Sequence, residues 1–193
     1  MELVIDPATL VLRTEAADQT KTLARAIAPL CEPGDVLLLV GDLGAGKTTF
    51  AQGFGAALGI TEAITSPTFT LVREYAVQGP AASSRVGPVD RAGDVDGHRS
   101  RVRTLVHADV YRLDRLHEIA DLGLGELVDD DGVALVEWGD VAEPILGGSL
   151  AITLVAAVDH DDHRLITVRS VGTAWSSRWA ALQSALSPWQ TAQ

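Results

Sequence analysis

The 193-residue sequence has one cysteine, no long apolar run and no basic segment near its start. Cys31 has no second cysteine with which to form an internal disulfide, which agrees with a reducing compartment. The longest nearly apolar run, residues 150–158, is too short to span a bilayer, and residues 1–6 do not resemble a signal peptide. We therefore expect a cytoplasmic protein that has no membrane partner.

Basic residues are also in short supply. Lysine and arginine number 15 against 26 acidic residues, and the net charge is −11. Proteins that bind nucleic acid by themselves use basic side chains to neutralise phosphates, so this balance argues against strong direct binding of nucleic acid. The chain is 47% hydrophobic and 21% charged, and its length suits a single domain over residues 1–193.

Residues 79–103 contain no aromatic residue and are punctuated by glycine and proline. Such a segment buries too little apolar surface to offset the entropy lost on ordering, which predicts a flexible insertion. We place it at the tip of an antiparallel hairpin between strands at 69–77 and 104–111. Its arginine-rich end, 99–103, could contact RNA or an acidic protein, although a solvated loop is the simpler interpretation. Residues 187–193 are expected to fray.

The sequence does contain one glycine-rich stretch that fits the pattern G-x-x-x-x-G-K-[ST], at residues 41–48. An apolar run at 36–40 precedes it and predicts a buried strand; residues 49–58 follow and predict a helix. Backbone N–H groups at such a helix start suit nucleotide phosphates. Lys47 would bridge the β- and γ-phosphates and the Thr48 hydroxyl would ligate Mg²⁺. The predicted nucleotide contacts in this loop are Asp42, Leu43, Gly44, Ala45, Gly46, Lys47, Thr48 and Thr49.

Glu137 follows an apolar strand predicted at 133–136. Adjacent parallel strands would place its carboxylate beside the Thr48 hydroxyl, where it can hold Mg²⁺ directly or through water. In isolation, a glutamate at a strand end is usually solvated. Thr68 lies in a loop after the phosphate-loop helix, where switch proteins sense the γ-phosphate and the metal. The alternative is that the Thr68 hydroxyl merely satisfies a turn.

The remaining pattern alternates strands and helices. It predicts a helix at 14–30 capped by Thr14, a helix starting near 112–116, a hairpin of strands 150–158 and 164–171, and a terminal helix at 173–186. The expected fold class is α/β, a P-loop NTPase-like three-layer fold with a mostly parallel central sheet plus antiparallel hairpins.

Four segments, taken together in their order and spacing, resemble the TsaE (formerly YjeE) family of small bacterial ATPases of tRNA threonylcarbamoyladenosine biosynthesis. The segments are Gly41-Asp-Leu-Gly-Ala-Gly-Lys-Thr-Thr49, Ser66-Pro-Thr-Phe-Thr-Leu-Val72, His107-Ala-Asp-Val-Tyr-Arg-Leu113 and Leu135-Val-Glu-Trp138. The glycine-rich segment occurs in many families, and the other three are much more specific in combination. The resemblance covers roughly residues 14–170.

The resemblance implies a Mg²⁺-dependent ATPase that works with TsaB and TsaD, the proteins that transfer threonylcarbamoyl to adenosine 37 of ANN-decoding tRNAs. ATP hydrolysis would reset the TsaB–TsaD complex between turnovers and would be slow in the isolated protein. The chain would contact tRNA through the complex and not by strong direct binding. The implied site residues are Thr48 and Glu137 for the metal, Lys47 for the phosphates, Thr68 as the switch, Asp109 as an active-site aspartate acting on water or metal, and Arg164 near the nucleotide.

The sequence departs from the family pattern in three places. Ala16-Ala-Asp-Gln-Thr20 stands where the family often has a Ser-Glu-rich run, which leaves the adenine contacts open. The 79–103 insertion exceeds the usual hairpin, and the tail beyond 172 has no match.

Two other functions fit the same loop. In a small-molecule kinase, Asp109 would act as the base and the γ-phosphoryl group would pass to a hydroxyl. Such kinases usually have an arginine-rich lid, and the one arginine cluster lies within 79–103. The third interpretation is a binding module that takes up ATP without hydrolysing it.

Overall fold

The structure is a computed structural model that describes residues 8–78, 102–113, 116–128, 131–158 and 160–191. Its strands are β1 Thr9–Thr14, β2 Val36–Val40, β3 Val72–Ala76, β4 Thr104–Asp109, β5 Gly132–Glu137, β6 Ser149–Ala156 and β7 Arg164–Val171. Its α-helices are α1 Ala17–Ile27, α2 Lys47–Ala57, α3 Leu116–Ala120, α4 Leu124–Val128, α5 Glu143–Leu146 and α6 Trp179–Leu186. Short 3₁₀ helices lie at Ala28–Leu30, Gly139–Val141 and Ser187–Trp189.

All seven strands form one sheet, in the order β1-β7-β6-β2-β5-β4-β3. The four central strands β6, β2, β5 and β4 run parallel to one another. The hairpins β3–β4 and β6–β7 are antiparallel, as is the β1–β7 pair. The predicted mixed α/β architecture, with a parallel centre and antiparallel hairpins, is therefore confirmed.

Strand β2 is apolar throughout because both of its faces are covered. Leu37 and Leu39 belong to one hydrophobic cluster and Val36 and Leu38 to another. Successive side chains on a strand point to opposite faces, so the two clusters lie on either side of the sheet. The first includes buried residues of α1, α2 and α6, and the second includes buried residues of α3 and α4.

Helices α1 and α2 approach closely, and glycine in α2 permits this. A Cβ on Gly53 would overlap the backbone of Lys21 in α1, and a Cβ on Gly55 would overlap the Ile64 side chain. These glycines carry a helix-propensity cost of about 1 kcal/mol each relative to alanine. The close approach brings the start of α1 near the glycine loop.

The predicted cap at Thr14 is wrong. Thr14 is the last residue of β1, a strand that the sequence did not suggest, and it pairs with Arg164 of β7. Helix α1 starts at Ala17, and Ala16 precedes it without a side-chain cap. The Thr14 hydroxyl instead bonds to the Thr20 hydroxyl at 2.9 Å. Sheet pairing across the chain outweighs the local capping preference here.

The C-terminal segment also differs from expectation. Residues 172–178 form turns, and the helix predicted from 173 begins at Trp179. Residues 187–191 do not fray: Gln190 bridges to Leu12 of β1, and the Thr191 N–H donates to the Val11 carbonyl at 3.2 Å. Residues 192–193 and most of the predicted insertion, 79–101, lie outside the described residues. Within the described ranges, no helix combines the length and apolarity needed to cross a membrane.

Candidate active site

The glycine loop, residues 41–48, connects β2 to α2. Gly41, Gly44 and Gly46 have φ angles of 147°, 80° and 107°, a region that residues with a Cβ rarely adopt. A Cβ on Gly41 would also overlap the Leu154 carbonyl of β6. Both the turn geometry and the close approach to β6 therefore require glycine.

The loop ends directly at the start of α2. Gly46 precedes the helix, and its carbonyl accepts from the Phe50 N–H at 2.9 Å. The first N–H groups of a helix, here those of Lys47, Thr48 and Thr49, have no carbonyl one turn earlier to bond. The partial positive charge at this end attracts anions. Of the other predicted contacts, Asp42, Leu43 and Gly44 are exposed and Ala45 is buried.

Lys47 is buried and folds back over its own loop. Its Nζ donates to the carbonyls of Gly41 at 2.6 Å and Asp42 at 3.0 Å, and lies 3.9 Å from the centre of the Trp138 ring. Burial lowers the pKa of the Lys47 ammonium, and the negative charge of Glu137 opposes that shift. Trp138 is the first residue after β5, and its φ of 60° is unusual for a bulky residue.

Thr48 and Glu137 meet as predicted from the parallel strands. The Thr48 hydroxyl donates to Glu137 Oε1 at 2.9 Å, and Glu137 is 3% exposed. A hydroxyl and a carboxylate are the oxygen donors that Mg²⁺ prefers. Among the described residues, no three His, Cys, Asp or Glu side chains are grouped so as to hold an ion. A magnesium ion here would thus draw its other ligands from phosphates and water, as is usual for this ion.

His107 is a site residue to which the sequence assigned no role. It is fully buried on β4, and its Nε2 lies 3.0 Å from Glu137 Oε1. The sequence feature that could have identified His107 is its position two residues before Asp109 on the same strand, because side chains two residues apart lie on the same face.

Asp109 holds the loop that carries Thr68. The Thr68 hydroxyl donates to Asp109 Oδ2 at 2.6 Å, and the Ser66 hydroxyl donates to the same oxygen at 3.2 Å. The backbone N–H of Tyr111 donates to Oδ1 at 2.9 Å. Both carboxylate oxygens therefore accept hydrogen bonds from neighbouring residues, and the structure brings together the predicted switch residue and the predicted active-site aspartate.

Arg164 reaches the glycine loop from β7. Its Nε donates to the Ala45 carbonyl at 2.8 Å and its Nη2 to the Gly44 carbonyl at 3.2 Å. A small cavity of about 60 Å³ lies beside it, lined by Ala17, Thr20, Gly46, Thr49, Asp162 and Arg164. Residues from α1 and from the β6–β7 connection thus border the loop together with Arg164.

Exposed apolar side chains lie on segments that adjoin the site residues. Leu43 in the glycine loop is 93% exposed, Phe69 beside Thr68 is 86% exposed, and Tyr111 after β4 is 59% exposed. The Arg112 guanidinium lies 4.7 Å from the Phe69 ring centre, and the Tyr111 ring centre lies 4.7 Å from that of Trp138. Exposed apolar side chains that form one contiguous patch are typical of a contact surface for another macromolecule.

The family model described as "Threonylcarbamoyl adenosine biosynthesis protein TsaE" matches residues 14–87 and 94–166. The chain belongs to the TsaE family. TsaE of Bacillus subtilis (strain 168), called a tRNA threonylcarbamoyladenosine biosynthesis protein, is 40% identical over 163 residues, which span 84% of this chain and 87% of the relative. The Streptomyces coelicolor TsaE is 35% identical, over 81% of this chain and 94% of the relative. The crystal structure of Bacillus subtilis YdiB superposes with a TM-score of 0.63 at 36% identity, covering 93% and 95% of the two chains.

The TsaE match stops at residue 166, but the fold of this chain continues beyond it. Residues Trp175, Leu182 and Leu186 are fully buried in the core cluster that also contains α1 and α2. Arg178 forms an ion pair with Asp35, the residue before β2, and donates to the Leu30 carbonyl at 2.9 Å. This TsaE member therefore has a C-terminal segment that contributes three buried side chains to the main hydrophobic core.

Proposed function

We propose that this chain is a Mg²⁺-dependent ATPase of the P-loop NTPase type that serves threonylcarbamoyl modification of adenosine 37 in ANN-decoding tRNAs. The observation that carries the proposal is the 2.9 Å hydrogen bond between Thr48 and Glu137 at the end of the glycine loop. It joins a helix start suited to phosphates with a buried carboxylate suited to a metal. The tRNA modification is inferred from the TsaE relatives, which are called tRNA threonylcarbamoyladenosine biosynthesis proteins.

In this proposal the N–H groups at the start of α2 bind the phosphates of ATP, and Lys47 adds a positive charge. Two of the three ammonium hydrogens of Lys47 are held by neutral carbonyl oxygens of the loop. A hydrogen bond to a charged phosphate oxygen is about twice as strong as one to a neutral carbonyl. Exchange of a carbonyl for a phosphate oxygen is therefore favourable.

Thr48 and Glu137 would hold the Mg²⁺ ion, which neutralises charge on the β- and γ-phosphate oxygens when it is bound. Because the Thr48 hydroxyl gives its hydrogen to Glu137, its lone pairs remain free for coordination. Glu137 contributes the negative charge that a buried cation needs.

Hydrolysis requires a water oxygen to attack the γ-phosphorus while the bond to the bridging oxygen of ADP breaks. Asp109 already accepts hydrogen bonds from Thr68, Ser66 and the Tyr111 N–H. We therefore assign Asp109 to positioning the Thr68 loop, and Thr68 to sensing the γ-phosphate.

The proposed partners are TsaD and TsaB homologues, and the protein acts in the cytoplasm. The net charge of −11 disfavours direct tRNA binding, whereas the exposed side chains of Leu43, Phe69 and Tyr111 favour contact with a protein. A partner that covers the glycine loop would exclude water from the phosphates and strengthen the electrostatic interactions there. We thus expect slow hydrolysis by the isolated chain and a role for hydrolysis in resetting the TsaB–TsaD complex.

The test is reconstitution with TsaB, TsaD and unmodified tRNA. We expect multiple-turnover modification with wild-type protein and none above the background with Lys47→Ala. Lys21→Ala is the matched control, because Lys21 is the other lysine of the chain and lies on α1. Equal accumulation of modified tRNA with Lys47→Ala would contradict the proposal. ATP binding without hydrolysis, even beside the partners, would identify a binding module instead.

A further inference from the structure

We propose that His107 is a positioning residue for the metal: its Nε2–H orients the Glu137 carboxylate so that the second carboxylate oxygen faces the ion. The inference rests on the proposed function of the site and adds a residue to it. His107 touches neither ATP nor metal in this assignment, and it acts through Glu137 alone.

The sheet sets up this contact. Strands β4 and β5 are parallel neighbours in which His107 pairs with Leu135 and Asp109 pairs with Glu137. His107 and Glu137 are therefore diagonal neighbours, and the His107 ring reaches Glu137 Oε1 at 3.0 Å. The side chains of His107 and Glu137 are 0% and 4% exposed, so water does not compete for this hydrogen bond.

The contact decides which ring nitrogen carries hydrogen. An ionised carboxylate can only accept, so Nε2 must be the donor. The other nitrogen, Nδ1, is buried and has no hydrogen-bond partner within the described residues. The Nε2–H tautomer of the neutral ring leaves only a lone pair unpaired at Nδ1, whereas the opposite tautomer would bury an unpaired N–H and lose the bond to Glu137.

Both donors to Glu137 act on the same oxygen. Thr48 and His107 each donate to Oε1, at 2.9 Å and 3.0 Å, and no hydrogen bond from the described part of the chain reaches Oε2. Two donors on one oxygen fix the rotation of the carboxylate and leave Oε2 to accept from a metal or a metal-bound water. Partners that orient a metal ligand in this way typically contribute 10–100-fold, as an order of magnitude, to metal affinity.

The test replaces His107 by two amides of matched polarity. The amide nitrogen of glutamine can occupy the place of Nε2, so H107Q should restore the donor to Glu137. The shorter asparagine places its amide near the Nδ1 position, so H107N should not reach the carboxylate. The probe is Mn²⁺, titrated by electron paramagnetic resonance in the presence of ATP, with ATP affinity in EDTA measured in parallel.

We expect H107N to weaken Mn²⁺ binding by about 10–100-fold and H107Q to stay within about threefold of wild type. ATP affinity without metal should be unchanged in both variants. Equal Mn²⁺ affinity in all three proteins would overturn the assignment of His107 while leaving the proposed ATPase intact. Failure of the wild type itself to bind ATP would remove the proposed function instead.

A measurement on the wild-type protein covers the case in which H107N does not fold. Nitrogen-15 NMR of the imidazole distinguishes the two tautomers directly. We expect hydrogen on Nε2, and an Nε2 resonance that moves when Mg²⁺ is added to the ATP complex. Absence of hydrogen from Nε2, or an Nε2 resonance that does not respond to Mg²⁺, would overturn the inference.

Discussion

The Thr48 hydroxyl and Glu137 Oε1 are 2.9 Å apart although the two residues are separated by 89 positions in the chain. Strand β2 leads into the glycine loop before Thr48, and the neighbouring parallel strand β5 ends at Glu137. Because the carboxyl ends of parallel strands lie at the same edge of the sheet, the loop and the carboxylate form one site.

Glu137→Gln tests the metal role of this pair. The substitution keeps the size of the side chain but removes the negative charge, and we expect Mg²⁺-dependent ATP hydrolysis to fall by roughly 100-fold or more. ATP affinity in EDTA should stay near the wild-type value, because the phosphate contacts come from the loop. Glu126→Gln, an exposed position on α4, is the control and should retain full activity. A Glu137→Gln protein with normal hydrolysis would contradict the metal assignment.

Thr68→Ala tests the switch. The Thr68 hydroxyl donates a short hydrogen bond to Asp109, and a hydrogen bond to a charged group typically contributes about 1.5–3 kcal/mol. We expect kcat to fall by about 10–100-fold with little change in ATP affinity, and Thr68→Ser to recover most of the rate. Thr70→Ala is the matched control, since the one hydrogen bond that the Thr70 hydroxyl makes within the described part of the chain is to the Pro67 carbonyl in the same turn. Equal rates for Thr68→Ala and Thr70→Ala would exclude a special role for Thr68.

Arg178→Ala tests whether the C-terminal segment stabilises the fold. Asp35 is 6% exposed, and removal of Arg178 leaves the Asp35 carboxylate without its cation. We therefore expect the free energy of unfolding to fall by about 3–5 kcal/mol. The hydrogen bond to Asp35 raises the pKa of Arg178 above its ordinary value, so this guanidinium stays charged and its contribution persists through neutral and alkaline pH. The measurement is urea unfolding followed by circular dichroism.

Arg169→Ala is the control for that prediction. Arg169 pairs with Glu143, but both side chains are about a third exposed, at 39% and 31%. Exposed pairs contribute about 0–1 kcal/mol. Similar losses for Arg178→Ala and Arg169→Ala would show that burial of the Asp35 pair adds nothing.

The reactivity of the Cys31 thiol provides a second measurement of how readily the protein unfolds. The thiol is buried, and burial raises its pKa, so the native protein holds less of the reactive thiolate at any given pH. We expect native protein to react with a thiol reagent only as fast as it unfolds, and a rise from pH 7 to pH 8 to accelerate labelling of urea-unfolded protein by up to about tenfold. Arg178→Ala should label faster than wild type, whereas rapid labelling of native wild type would contradict the burial of Cys31.

Local sequence pattern was sufficient to predict the strands and the loop that hold the candidate site. The apolar run at 36–40, the glycines at 41–46 and the acid after the strand at 133–136 each have a local signature, and the structure has all three where they were predicted. Local pattern failed at Thr14, where a good capping residue ends a strand instead. Strand β1 pairs with β7, whose residues lie more than a hundred positions later in the chain, and local sequence preferences cannot predict such a pairing.

The sequence by itself determined that a glycine-rich loop between a strand and a helix, and an acid at the end of another strand, are present, because glycine conformations and apolar runs are properties of short segments. Only the tertiary structure decided which side chains surround Glu137 and how the chain ends. His107 bonds Glu137 across two strands, and Arg178 bonds Asp35 across 143 positions. Such contacts depend on strand order and packing, and those are set by burial of the whole core on both faces of the sheet.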